Sequence, residues 1–218
     1  MCRAPVPGHC KTRLARVIGD DAAARLYAAM LADRIALVDA LPARRRLLVV
    51  APENDGLAAL SPLLPTSAWA VLEQRGDDLG SRLANAMADL ADGDLVCLVD
   101  SDSPSLSFAP IWPVLVSAVE RDRVVLGPCE DGGYYLIGMH GVLRELFADI
   151  PWSTSDVLAA TRAKCTLHGR TVIDLPVSWD VDDGADLERL RREIHAVASL
   201  SPRTAALLRT LPDVGVRA

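Results

Sequence analysis

The sequence predicts an α/β protein: a mostly parallel sheet, helices on both of its faces, and one antiparallel insertion. Three observations carry this. Short apolar runs alternate with helical patterns along the 218 residues. The runs are continuous rather than alternating, as expected of strands buried on both faces. The glycine turn between Leu126 and Tyr134 is too short for a parallel crossover, so an antiparallel element has to interrupt the sheet there.

The elements follow in order. Residues 20–41 read as one long helix, because Ala22, Leu26, Ala29, Met30, Ile35, Leu37 and Val38 recur at helical spacing after Gly19-Asp20. Residues 46–51 (RLLVVA) are a buried strand, 56–60 a short helix and 68–73 a second strand. Residues 78–90 form a helix with Leu79, Leu83, Ala86 and Leu90 facing inward, and 94–99 form the third strand. A helix over 108–120 precedes strands at 123–126 and 134–139. Helices at 141–147 and 155–167, a strand at 171–175, and helices at 184–197 and 201–211 complete the chain. The basic loop at 7–13 belongs after a first strand, yet six residues precede it. That strand is expected to be truncated or missing through a late chain start.

The length suits one domain over 1–218. Half the residues are apolar, enough for a full core. A net charge of −6 argues against nucleic acid as a partner. Arg44-Arg45-Arg46 reads as a solvated loop. The five cysteines are widely spaced without a CxxC pair, so neither a zinc site nor a disulfide framework is indicated, and reduced thiols fit a cytoplasmic protein. No apolar run reaches a membrane span. A homodimer is compatible with all of this.

The chemistry concentrates in a few segments. The strand at 94–99 ends in Asp100-Ser-Asp102-Ser-Pro, and ligands of open α/β sheets bind at such carboxyl ends. Asp102 is the leading metal ligand, since Mg²⁺ or Mn²⁺ prefers carboxylate and phosphate oxygens; Asp100 either assists or turns into the sheet. A solvated turn is the plainer alternative. Pro7 and Gly8 open a turn, followed by Lys11, a mobile point charge, and Arg13, a planar fork suited to phosphate. A surface Lys/Arg pair ahead of a helix explains the same residues. In Trp179-Asp-Val-Asp182-Asp183, either aspartate caps the next helix, or Asp182 completes the metal site. Asp186 falls in the first helical turn and reads as structural. Gly80 and Arg82 either meet a base or phosphate or belong to a plain glycine-containing helix start, which explains them equally. Asp131, Gly132 and Gly133 form a turn whose glycines permit close ligand approach, although the turn alone is only a hairpin signal. Of Tyr134 and Tyr135, which alternate across a strand, one faces the core and the other is a candidate to face the site. Trp152, Ser153 and Thr154 either start a helix, with Ser153 or Thr154 as its cap, or touch substrate.

Taken together, PVPGHCKTRL, GDDLGSRL, DSDSPSL, GPCEDGGYYLIG, IPWST and WDVDDGADL resemble, in order and spacing, the bacterial DUF2064 proteins. Those are often labelled glycosyltransferases associated with radical-SAM or arsenosugar clusters, within the nucleotide-diphospho-sugar transferase (GT-A) superfamily. The resemblance spans about residues 3 to 190. It implies a GT-A Rossmann-like sheet and places Lys11 and Arg13 on nucleotide phosphates. It also places Asp102 on a divalent cation and matches Asp182 to the second acidic ligand. Asp100 stands where members often carry glycine, Cys129 stands at a variable position, and the first strand is central in the family sheet.

The leading expectation is therefore a metal-dependent glycosyltransferase that moves a sugar from a nucleotide sugar to a small-molecule acceptor, with Asp131 as the acceptor's base. The KTRL loop also resembles guanylyltransferases that activate phospholactate or phosphoenolpyruvate. That makes a nucleotidyltransferase acting on a nucleoside triphosphate, guanylyl- or cytidylyltransferase-like, the alternative. A degenerate nucleotide-binding protein is a third.

Overall fold

The computed structural model describes residues 1–52, 57–65, 69–117 and 120–211. The chain falls into two compact units, each taken by itself below. One comprises Met1, Glu73–Asp100 and Ser107–Trp179, and the other Cys2–Leu72, Ser101–Leu106 and Asp180–Ala218.

The second of these units holds helix α1 (Thr12–Ile18), the long helix α2 (Asp20–Asp39), strand β1 (Arg46–Val50), helix α3 (Leu57–Leu60) and strand β2 (Trp69–Glu73), whose last residue belongs to the other unit. Strand β1 pairs with β2. Cys2, Leu31, Ile35, Leu48, Val50 and Leu60 form a buried cluster. In place of a full first strand, Cys2 makes a single parallel bridge to Val50, donating its N–H to Val49 O at 2.9 Å and accepting from Ala51 N at 2.9 Å. Gly56 and Ala68, assigned above to the short helix and second strand, lie outside the described residues. The arginine run is only partly solvated. Arg44 and Arg45 are exposed, but Arg46 lies in β1 and donates to the carbonyls of Val38 and Leu41 at the end of α2. That is a favourable place for a cation.

Helices α7 (Gly184–Arg192), α8 (Ile194–Val197) and α9 (Pro202–Leu208) complete this unit. The single helix expected over 184–197 is broken at Glu193, whose backbone leaves helical geometry (φ −91°, ψ 6°). Asp33, buried in α2, accepts from Arg203 N at 3.2 Å, Thr204 N at 2.8 Å and Thr204 Oγ1 at 2.9 Å. A side chain from α2 thus serves the orphan amides that begin α9.

The other unit holds α4 (Leu79–Leu90), β3 (Leu95–Val99), α5 (Ile111–Ser117), β4 (Arg123–Pro128), β5 (Tyr134–His140), α6 (Val157–Leu167) and β6 (Thr171–Asp174). Its sheet has the order β3-β5-β4-β6. β5 is antiparallel to both β3 and β4, while β4 and β6 are parallel. So β3, β4 and β6 run one way, and β5 is the predicted antiparallel insertion between them. Val124, Val125, Leu126, Leu136 and Ile137 are essentially fully buried, which is why β4 and β5 read as continuous apolar runs.

Three expected helical details differ. Only a 3₁₀ turn at Arg144–Leu146 forms within 141–147, because Gly141 has φ +70° and Leu143 is extended. Helix α5 starts at Ile111 rather than 108, and residues 118–119 lie outside the described residues. Leu79, expected to face inward, is exposed at the first position of α4. Gly80 turns inward instead, and a Cβ there would collide with the Phe147 carbonyl and lie 2.7 Å from Trp152 Nε1.

Candidate active site

Chain segments distant in sequence bring Lys11, Arg13, Asp102 and Asp182 together within one unit. The loop before α1 turns at Pro7 and Gly8 (φ +77°), and His9 N donates to Val6 O at 3.0 Å. It ends at Lys11, which sits in the left-handed region (φ 48°, ψ 46°) as the residue preceding α1. A non-glycine residue held there is strained, and such strain persists only where the surroundings over-determine it. Leu14, fully buried, anchors α1, and α1 packs on α7, where Gly184 leaves room for Val17.

Asp102 lies on 101–106, which continues the chain beyond β3. Its carbonyl accepts from Val181 N at 3.0 Å, and this draws the 180–183 segment alongside. There the two adjacent aspartates separate. Asp183 is the cap of α7: its carboxylate accepts from Ala185 N at 2.8 Å and Asp186 N at 3.2 Å. Asp186 returns a carboxylate to the amides of Asp182 and Asp183. With both neighbours occupied in capping, the side chain of Asp182 is left to face Lys11 and Arg13.

Lys11 Nζ donates to Asp102 Oδ2 at 2.6 Å and to Asp182 Oδ1 at 3.2 Å. Arg13 Nη1 donates to Asp182 Oδ2 at 3.0 Å. The Lys11 side chain is 6 % exposed and that of Arg13 is 69 % exposed, so a buried ammonium lies behind a solvated guanidinium. Burial disfavours the Lys11 charge, but the Asp102 carboxylate, then Asp182 and Asp180, outweigh it and raise its pKa above the ordinary 10.5. Burial likewise pushes Asp102 up. The Lys11 ammonium and, further out, the Arg34 guanidinium outweigh it and hold the carboxyl below its ordinary value.

Sequence reasoning overlooked the supports of this cluster. Arg34, buried on α2, donates from Nη2 to Ser103 O at 2.6 Å. Tyr27, also on α2, bonds Ser101 Oγ at 2.9 Å through its hydroxyl, which accepts from Arg3 N at 3.0 Å. The available signal was Asp33-Arg34 set between Leu31 and Ile35: charged residues on an apolar helix face need partners.

The remaining candidates belong to the other unit. Asp131 is exposed and accepts from Gly133 N at 2.9 Å across the hairpin turn, where Gly132 has φ +89°. Tyr134 stands edge-on to Trp152 with ring centroids 6.4 Å apart, whereas Tyr135 is buried and donates to Pro176 O at 2.9 Å. Arg82 Nε donates to Gly76 O at 3.0 Å, and Gly80 packs against Trp152. Neither Ser153 nor Thr154 is the cap of α6. Asp156 holds that position without a side-chain bond, Ser153 has φ +66°, and Thr154 Oγ1 donates to Pro151 O at 2.7 Å. Asp100 extends the sheet, its N–H donating to Tyr135 O at 2.8 Å.

The family model described as an uncharacterized protein conserved in bacteria (DUF2064) matches residues 34–154, more than half of the chain. The chain belongs to the DUF2064 family. A crystal structure from Desulfovibrio desulfuricans G20, provisionally named a nucleotide-diphospho-sugar transferase, is 30% identical to this DUF2064 protein. It covers 96% of each chain with a TM-score of 0.81. The inositol-1-phosphate CTP transferase from T. maritima is 15% identical and covers 90% of this chain and 94% of its own, with a TM-score of 0.51; that similarity shows the fold alone. No curated protein matches the chain. This DUF2064 member has the α/β fold of that provisionally named nucleotide-diphospho-sugar transferase, a similarity that supports the general transferase kind. Among its described residues, no helix is long and apolar enough to cross a membrane.

Proposed function

We propose that the protein is a glycosyltransferase that uses a nucleotide sugar and a divalent cation, Mg²⁺ or Mn²⁺. The convergence of Lys11, Arg13, Asp102 and Asp182 carries this reading. The residues fit a hard cation: two carboxylates from distant segments meet around a single ammonium, and oxygen donors of that kind suit Mg²⁺ or Mn²⁺. Asp102 and Asp182 would hold the cation, which when bound offsets negative charge growing on the departing nucleoside diphosphate. Lys11 and Arg13 act on the same charge directly. Lys11 supplies a compact ammonium from a buried stem, and Arg13 a planar fork at the solvent edge, both placed before the reaction begins. Pro7 and Gly8 shape the loop that brings the phosphates to them.

In the other unit, Gly80 and Arg82 are proposed contacts to the nucleotide. Gly132, Gly133, Tyr134, Trp152, Ser153 and Thr154 are proposed contacts to the substrate. Asp131, exposed on its turn, is the proposed base that takes the proton of a small-molecule acceptor. The reading takes 1–218 as one transferase domain working in the cytoplasm.

Nucleotidyl transfer from a nucleoside triphosphate is the second reading, favoured by the Lys11-Thr12-Arg13-Leu14 loop. There the same cations would stabilise the α-phosphoryl group and the departing pyrophosphate. Thermal denaturation with Mn²⁺ and a panel of nucleotide sugars and nucleoside triphosphates separates the two, since a ligand bound only by the native state raises Tm. A rise with a nucleotide sugar alone is expected. A rise with triphosphates alone selects the second reading, and no rise with any ligand rejects both.

A further inference from the structure

We propose that Lys11 is the resident counter-cation of the Asp102–Asp182 pair, so that a divalent cation and a diphosphate-bearing ligand take the site together rather than separately. The inference rests on the metal-dependent reading above and adds an order of occupation to it. Lys11 Nζ lies between Asp102 Oδ2 and Asp182 Oδ1, at 2.6 and 3.2 Å. Arg13 takes the other oxygen of Asp182 at 3.0 Å. Both oxygens of Asp182 and one of Asp102 therefore already face a positive charge. A divalent cation approaching those oxygens meets an ammonium at close range, and like charges at such separations in a partly buried site repel strongly. The ammonium is held back from water, with a side chain 6 % exposed, so it has no ready solvated alternative.

A diphosphate changes that balance. It offers Lys11 and Arg13 acceptor oxygens of higher charge than a carboxylate. Lysine can make the exchange because its charge rides on a flexible four-carbon stem. Once the ammonium turns to phosphate, Asp102 and Asp182 are two unneutralised carboxylates facing each other, and their repulsion draws in the divalent cation. Each ligand thus creates the site for the other, and the gain in affinity is reciprocal.

The test uses Mn²⁺ and inorganic pyrophosphate as probes, with free Mn²⁺ read by electron paramagnetic resonance and corrected for the Mn²⁺–pyrophosphate complex. The whole wild-type chain should bind Mn²⁺ at least tenfold more tightly with pyrophosphate than without it. Lys11→Met should bind Mn²⁺ alone at least tenfold more tightly than wild type, and adding Asp102→Asn should remove that gain. Equal Mn²⁺ affinity in wild type and Lys11→Met overturns the inference, as does tight binding by wild type without pyrophosphate. Should Lys11→Met fail to fold, the wild-type comparison decides alone, and a pyrophosphate effect below about threefold overturns the proposal. Mn²⁺ bound regardless of pyrophosphate leaves the metal-dependent reading standing without this order. No Mn²⁺ bound by any protein under any condition removes both.

Discussion

The acidic–basic cluster and the hairpin turn each hold predicted site residues, but their side chains are engaged in opposite ways. Lys11 meets Asp102 and Asp182, and Arg13 meets Asp182, across gaps of 91, 171 and 169 residues. Asp131, Arg82 and Thr154 bond their own local backbone, two, six and three residues away. Local folding of the hairpin turn, of the start of α4 and of the turn at 151–156 suffices to explain the second set, so a ligand role there is an addition to a structural one. Folding does not readily explain the first set. Burying an ammonium against one partly buried and one half-exposed carboxylate is a poor way to gain stability compared with apolar packing. The difference teaches that long-range convergence of charge, more than a glycine- or aspartate-rich motif, marks where chemistry is to be sought.

The largest expected effect tests the structural side of that contrast. Gly132→Ala places a Cβ on the Ser155 carbonyl at a residue with φ +89°. It should cost about 3 kcal/mol by urea denaturation, combining overpacking with a forbidden backbone. A loss under about 1 kcal/mol would show that the turn is not held by backbone crowding.

Next, Asp102→Asn should destabilise by about 2 kcal/mol near neutral pH, because it strips Lys11 of its nearest counter-charge. Its pH dependence has a definite sign. The native pKa of Asp102 lies below the ordinary 3.8, so its stabilisation is fully present above the unfolded value and is lost as pH falls through the native one. Wild type and variant should therefore converge in acid, and a gap that stays constant down to about pH 2 would remove the ion pair as its source.

The smallest effect compares adjacent residues. Asp183→Ala should cost about 1 kcal/mol of stability through loss of the α7 cap, with nucleotide affinity little changed. Asp182→Ala should cost less stability, its pairs being 44 % exposed on its side, yet weaken binding more. The reverse pattern in paired denaturation and titration experiments would exchange the assigned roles.

Much of this was legible from residue order. Periodicity and turn chemistry located most of the helices and strands, and the short glycine turn dictated the reversed direction of β5. Local signals did less well where neighbours outside the window decide the outcome: the 3₁₀ turn at 144–146, the break at Glu193 and the exposure of Leu79. The motifs named Lys11, Arg13, Asp102 and Asp182 because residue type and position after a strand are written in the chain. What tertiary structure alone decided is which aspartate caps and which faces the cations, and that Arg34 and Tyr27 hold the 101–103 segment from α2. Those outcomes depend on hydrogen bonds and charge pairs between segments far apart in sequence. Their energies fall off within a few ångströms, so no local pattern encodes them.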